Sequence, residues 1–262
     1  MLAALATIRI RLATLAGGLL LFPGSGFAQT MPGTLEVSPA FFNQVWQTED
    51  GLPHNDVHGV LPGADGFLWV GTRRGIVRFD GSRFHSAPGV GRQFSEEVSI
   101  WRMNSGSDGR GLIALEGGGV IVQQGETNVQ LMVNGEAYAQ RVVSLCEDSA
   151  GRIWTTALRG EVERVYEGKL KVLGMPAGAG TGPSTLACDT SGVVWLASKN
   201  KLGFFRGDEF VVVKDDLIPP LFIARSARGG VWLATGAELC HVTKESGAVT
   251  VAQFPWPTQI VR

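Results

Sequence analysis

The chain has 262 residues, 44% of them hydrophobic, and a formal net charge of −1, so it carries enough apolar sequence for a folded core. This near-neutral charge argues against a nucleic-acid-binding protein, whose surface would be strongly basic, and we expect no nucleic-acid partner. Seven tryptophans stand against only two tyrosines. The 36 glycines, about twice the usual share, indicate a fold with many turns.

The first 28 residues have the pattern of an export signal. Two arginines precede an apolar run from Leu12 to Phe22, and small residues up to Ala28 supply a cleavage site. We predict cleavage after Ala28; an uncleaved membrane anchor is the alternative, although the run is short for a membrane-spanning helix. No later stretch is long and apolar enough to cross a bilayer, so we predict a periplasmic or secreted product.

One pattern recurs five times after this segment. Each copy has a short apolar strand, an Asp/Ser/Gly turn, a second strand that usually carries Trp, another turn and a third strand. The glycines of the first turn are spaced by 43, 42, 41 and 37 residues, which is too regular for chance turns. These glycines are Gly66, Gly109, Gly151, Gly192 and Gly229. We place a linker at residues 29–40 and one domain at 41–262, with copies near 57–84, 98–125, 141–170, 185–213 and 221–248.

A unit of about 40 residues with short strands and tight turns is typical of one β-propeller blade. We therefore predict an all-β propeller of four-stranded blades, with about five blades present. A β-sandwich would not repeat Trp at a fixed step, and a β-helix would have a shorter period. The recurring tryptophans are predicted to be structural wedges between blades, with Leu112 in their place in the second copy. They are Trp69, Trp154, Trp195 and Trp232.

The three cysteines form no CxxC pair and have no metal-like spacing. Cys146 and Cys188 fall at nearly the same place in two repeats, and we expect them to be small buried apolar side chains rather than part of a disulfide framework. His54 and His58 are four residues apart, but they lie in a loop that runs into a strand, so they do not predict a metal site. No cofactor is predicted.

Two segments resemble the two-component regulator propeller repeat family, which forms the periplasmic sensor region of bacterial hybrid two-component systems. They run from Val45 to Val57 and from Asp65 to Ile76, and with the later copies the resemblance covers residues 41–248. It implies seven-bladed rings followed by a β-sandwich, a membrane helix and a kinase module. We therefore expect five blades of an incomplete ring; a closed five-bladed ring is the alternative. The second copy lacks its Trp, and later copies lose the Gly71-Thr72 pair.

Alternating strand direction predicts which loops share a face. The loop that enters the innermost strand and the turn between the second and third strands open on the same side of a blade. Cations, amides and an aromatic ring there suit an oligosaccharide or another small polar or anionic ligand. Solvated loops are the alternative, in which His54 and Asn55 satisfy turn backbone groups. The candidate ligand-binding residues are His54, Asn55, Arg73, Arg74, Tyr138, Arg159 and Lys199.

The sequence contains no catalytic motif: it has neither a Gly-x-Ser-x-Gly elbow nor a phosphate-binding loop with its Lys. We predict no catalytic residue and no enzyme activity. Our leading hypothesis is an extracytoplasmic ligand-sensing propeller, with glycan sensing implied by the resemblance alone. It would work with a protein partner or with C-terminal signalling domains outside this chain. The alternatives are a protein-interaction scaffold and, as a third hypothesis, a propeller lyase.

Overall fold

The structure is a computed structural model that describes residues 44–63, 65–87, 98–106, 108–125, 127–174, 184–245 and 248–255. The predicted signal peptide and linker lie outside these residues. Except for a 3-10 turn at Thr48–Asp50, the regular structure in the described ranges is β-strand.

The strands form five four-stranded antiparallel sheets, each with its strands in chain order. We call them the first to fifth blades. A two-stranded hairpin follows the second blade. The first blade contains β1 (Val57–Pro62), β2 (Leu68–Thr72), β3 (Gly75–Phe79) and β4 (Phe84–Ser86), and the second contains β5 (Ile100–Ser105), β6 (Gly111–Leu115), β7 (Val120–Gln124) and β8 (Thr127–Gln130). The hairpin consists of β9 (Met132–Val133) and β10 (Glu136–Ala137), and the third blade contains β11 (Val142–Glu147), β12 (Ile153–Ala157), β13 (Val162–Tyr166) and β14 (Lys169–Gly174). The fourth blade contains β15 (Ser184–Cys188), β16 (Val194–Ser198), β17 (Lys201–Arg206) and β18 (Glu209–Lys214), and the fifth contains β19 (Phe222–Arg225), β20 (Val231–Ala234), β21 (Glu238–Glu245) and β22 (Ala248–Pro255).

The blades lie side by side around an axis lined by their first strands. β1 packs on β5, β5 on β11, β11 on β15, and β15 on β19. The tight turns between strands need glycine in the left-handed region, as at Gly66 (φ 82°) and Gly151 (φ 75°), where a Cβ would be strained. This arrangement confirms the predicted all-β propeller fold and its four-stranded blades.

In the first, third and fourth blades, the recurring tryptophan faces the next blade. Trp69, Trp154 and Trp195 are at most 1% exposed and belong to clusters that include residues of the following blade. Trp232, in the fifth blade, is only half-buried, and its ring contacts His241 and Phe254. The packing wedge is therefore complete between blades one and two, three and four, and four and five.

A buried aspartate fixes two of these tryptophans. Nε1 of Trp154 donates to Oδ2 of Asp148 at 2.8 Å, and Nε1 of Trp195 donates to Oδ2 of Asp189 at 2.9 Å. The other carboxylate oxygen of each aspartate accepts backbone N–H groups of the following turn. The first blade has Gly63 at this position, and the buried Nε1 of Trp69 has no hydrogen-bond partner among the residues that the structure describes. An aspartate six residues before the Trp is the sequence signal for this hydrogen bond. The sequence-based prediction did not include it.

Asp189→Asn is expected to lower the free energy of unfolding by about 2 kcal/mol. The amide would turn a donor toward Trp195 Nε1 or toward backbone N–H groups, and a buried donor would lose its acceptor. Urea unfolding of the variant measures the change. The control is Asp108→Asn, in an exposed turn of the second blade, for which we expect a change below about 0.5 kcal/mol. Equal losses in both variants would contradict a special role for the buried aspartate.

The second blade compensates for its missing tryptophan. Leu112, at the equivalent position, is fully buried and shares a cluster with Tyr138, which follows the β9–β10 hairpin. The Tyr138 hydroxyl donates to Oε2 of Glu163 at 2.6 Å and lies 3.0 Å from Oγ1 of Thr155. The inserted hairpin thus brings a second aromatic ring into the space between the second and third blades.

The structure corrects the expectation for the cysteines. Cys146 and Cys188 form a disulfide between β11 and β15, with Cα atoms 5.7 Å apart, while Cys240 is free and buried. The two positions differ by one residue: Cys146 lies two before Asp148, and Cys188 one before Asp189. Because side chains alternate along a strand, Cys146 faces the fourth blade and Cys188 faces back to the third. The bridge is possible because of this offset.

Candidate functional site

The loop that enters β1 is held by its own polar side chains. The backbone N–H of Thr48 donates to Oδ1 of Asn55 at 2.9 Å, and the N–H of Asp56 donates to Nδ1 of His54 at 3.0 Å. Leu52, 5% exposed, anchors the loop on the first blade. His54 and Asn55 therefore stabilise this loop beside the innermost strand, which is the alternative that the sequence left open for them.

Four predicted cations are exposed at the same type of turn. Arg73 and Arg74 lie between β2 and β3, Arg159 between β12 and β13, and Lys199 between β16 and β17. By strand alternation these turns share a face with the loop before β1, and we call this the loop face. In the described part of the chain, none of the four side chains forms an ion pair.

The turn that carries Arg73 and Arg74 is rigidly attached to the blade. Oγ1 of Thr72, which is fully buried, accepts the N–H of Arg74 at 3.1 Å and donates to the Gly75 carbonyl at 2.9 Å. Thr235 makes the same contacts in the fifth blade, where the turn contains Gly236 and Ala237 in place of cations. The threonine hydrogen bonds thus fix the conformation of the turn in both blades, while the residues within the turn determine its charge.

Tyr138 does not lie on the loop face. It is 4% exposed, and burial, together with its hydrogen bond to Glu163, raises the pKa of its hydroxyl, so the group stays protonated and donates. The structure thus gives Tyr138 a packing role between the second and third blades, in place of the surface contact that the sequence suggested.

Across the ranges that the structure describes, no group of three or more His, Cys, Asp or Glu side chains is placed to hold a metal ion. Among the same residues, we find no helix with the length and apolar character needed to cross a bilayer.

Comparison with known proteins identifies the first repeat. Residues 51–74 match the family model described as two component regulator propeller. The chain resembles this family. The match contains the loop with His54 and Asn55, strands β1 and β2, and the turn with Arg73 and Arg74. No curated protein matches the sequence.

Solved structures share the propeller fold at low sequence identity. The extracellular domain of the hybrid two component system BT4673 from B. thetaiotaomicron aligns with a TM-score of 0.53 and 14% identity over 74% of this chain. The aligned part is 27% of that domain, so this chain spans about a quarter of its length. Streptogramin B lyase aligns with a TM-score of 0.59 and 15% identity, covering 79% of this chain and 71% of the lyase. Virginiamycin B lyase from Staphylococcus aureus aligns with a TM-score of 0.57 and 17% identity, covering 77% and 71%. The extracellular domain of a two component system and two lyases therefore share the fold, which by itself does not assign a function to this chain.

Proposed function

We propose that this chain is an extracytoplasmic ligand-sensing propeller of a two-component regulator, and that it responds to a glycan. The observation that carries the proposal is the family match at residues 51–74. That segment supplies both an innermost strand and part of the loop face. An export signal in the first 28 residues would deliver the propeller to the periplasm or the outside of the cell.

The charge of the loop face supports this function. Arg73, Arg74, Arg159 and Lys199 come from three blades, are exposed, and form no ion pair with any described residue. Guanidinium groups give directional hydrogen bonds to hydroxyl-rich or anionic ligands. Because the turns are fixed by buried side chains such as Thr72, the cations are carried on a rigid scaffold, which lowers the entropic cost of binding.

A melting experiment with the full chain and a panel of neutral and acidic oligosaccharides tests the proposal. A ligand that binds only the folded state at 100 times its Kd adds about 2.7 kcal/mol of stability. We expect one panel member to raise the Tm saturably and to be recovered chemically unchanged, since a lyase would consume it. We expect Arg73→Ala/Arg74→Ala to abolish the rise.

The matched control is Arg228→Ala. Arg228 is exposed in the turn between β19 and β20, which opens on the opposite face. This variant should keep the full Tm shift. The assignment of the site would be contradicted if no panel member raised the Tm of the folded protein. It would also be contradicted if the Tm rise remained after both loop-face arginines were replaced.

A further inference from the structure

The first strands of the second to fifth blades surround a cavity of about 190 Å3. It is smaller than the roughly 300–1,000 Å3 of pockets that enclose drug-sized molecules, so it has room for a small ion or for one acidic group of a larger ligand. The cavity lies along the inner strands, on the axis of the arc of blades, and is separate from the loop-face turns.

Two arginines line this cavity, and neither side chain has a partner among the described residues. Arg102 comes from β5 and Arg225 from β19. In the described part of the chain, neither guanidinium makes a hydrogen bond or an ion pair, and no carboxylate lines the cavity. Burial lowers the pKa of Arg102, which shows that its charge is partly removed from water. Arg102 is half-buried and Arg225 is exposed, so Arg102 is the one whose charge is partly desolvated, a position in which proteins usually neutralise a charge.

Two other polar side chains of the cavity, those of Asn104 and Ser144, already have hydrogen-bond partners. Nδ2 of Asn104 donates to the Leu145 carbonyl at 2.8 Å, and Oγ of Ser144 accepts the N–H of Leu186 at 2.9 Å. These bonds tie the second blade to the third and the third to the fourth. The Cys146–Cys188 disulfide forms another part of the wall. The wall is therefore braced, and the two guanidinium groups are left as the charged donors that face the cavity.

We propose that this cavity is an anion site, in which Arg102 and Arg225 bind a carboxylate or sulfate group. Guanidinium groups match the planar or tetrahedral oxygens of these anions with paired hydrogen bonds. The lining suits an anion, because its described residues include two arginines and no acidic side chain. The site is independent of the loop face, so it holds whether or not the propeller senses a glycan.

Isothermal titration and melting curves of the full chain, with sodium glucuronate and sodium sulfate as probes, test the proposal. Sodium chloride at equal ionic strength and neutral glucose are the reference solutes, because sulfate also stabilises proteins by exclusion from their surface. We expect saturable binding of at least one probe anion, weakened at least tenfold in both Arg102→Gln and Arg225→Gln. Arg228→Gln, which removes an exposed cation in the turn between β19 and β20, should bind the anion like the unmodified chain. Arg74→Gln is measured beside it, because it reports on the loop face.

The Tm of Arg102→Gln in anion-free buffer gives a second test of the proposal. Removing an unpartnered, partly buried charge should leave the Tm of Arg102→Gln unchanged or higher in anion-free buffer. A lower Tm there would show that Arg102 has a structural partner and would overturn the proposal. So would the absence of binding by either anion, or binding that is lost in Arg74→Gln and kept in Arg102→Gln. The last outcome would assign the anion to the loop face and leave the proposed sensing function standing.

Discussion

Breaking the Cys146–Cys188 disulfide is expected to lower the free energy of unfolding by about 4 kcal/mol. The bridge closes a chain segment with a sequence separation of 42 residues, and the chain-entropy relation for a loop of that length gives this figure. It joins the innermost strands of two blades, where both cysteines are at most 6% exposed. In a propeller of this size, such a loss corresponds to a fall in Tm of about 8–16 °C.

The measurement compares the unmodified chain with Cys146→Ser/Cys188→Ser in urea unfolding, with and without a reductant. The control is Cys240→Ala, which removes the buried free thiol and leaves the bridge intact. Thiol counts in denaturant should give one free thiol before reduction and three after it. A reductant should destabilise the unmodified chain and the control, and should leave the double variant unchanged. Three free thiols in protein isolated from an oxidising compartment would contradict the bridge.

The repeat was readable from the sequence because it is local. Gly66 and Gly151 mark turns that need a positive φ, and each sits a few residues before an apolar strand that carries Trp. Both signals lie within one repeat of about 40 residues, so they can be recognised without knowledge of tertiary contacts. The five-blade prediction rests on these local features, and the observed sheets follow them.

The contacts between blades were not readable in the same way. The disulfide depends on a one-residue offset between Cys146 and Cys188, which places their side chains on facing sides of neighbouring strands. Tyr138 stands in a loop by sequence, but the β9–β10 hairpin turns it into the space beside Leu112. The sequence does not distinguish Arg102 from other polar residues of half-buried strands. Its distinction is that no acidic side chain among the described residues lines the cavity it faces.

The loop face was predicted in part for the same reason. Arg73 and Arg74 follow directly from the turn between two strands of one blade, so local reasoning located them. The hydrogen bonds of His54 and Asn55 to backbone N–H groups depend on the fold of the preceding loop, including its 3-10 turn. Whether a loop side chain holds the backbone or faces a ligand is decided by such contacts, which composition does not show.

Trp195→Ala is expected to lower the free energy of unfolding by about 4 kcal/mol, which is the cost typical of truncating a large buried aromatic side chain. Trp195 has no exposed surface, packs among residues of the fourth and fifth blades, and holds the Asp189 carboxylate through Nε1. Its loss would leave a cavity between two blades and one carboxylate oxygen without its donor. Urea or thermal unfolding, followed by far-UV circular dichroism, measures the effect.

Trp232→Ala provides the matched comparison, because Trp232 occupies the same position in the next blade. There the ring is half-buried, touches His241 and Phe254, and has no described blade on its far side. Removing it therefore forfeits fewer contacts, and we expect a loss of about 2 kcal/mol. Equal losses at the two positions would mean that the exposed face of the fifth blade is covered in solution. The difference between the two variants thus measures how much of the stability of a blade comes from the neighbour that its tryptophan reaches.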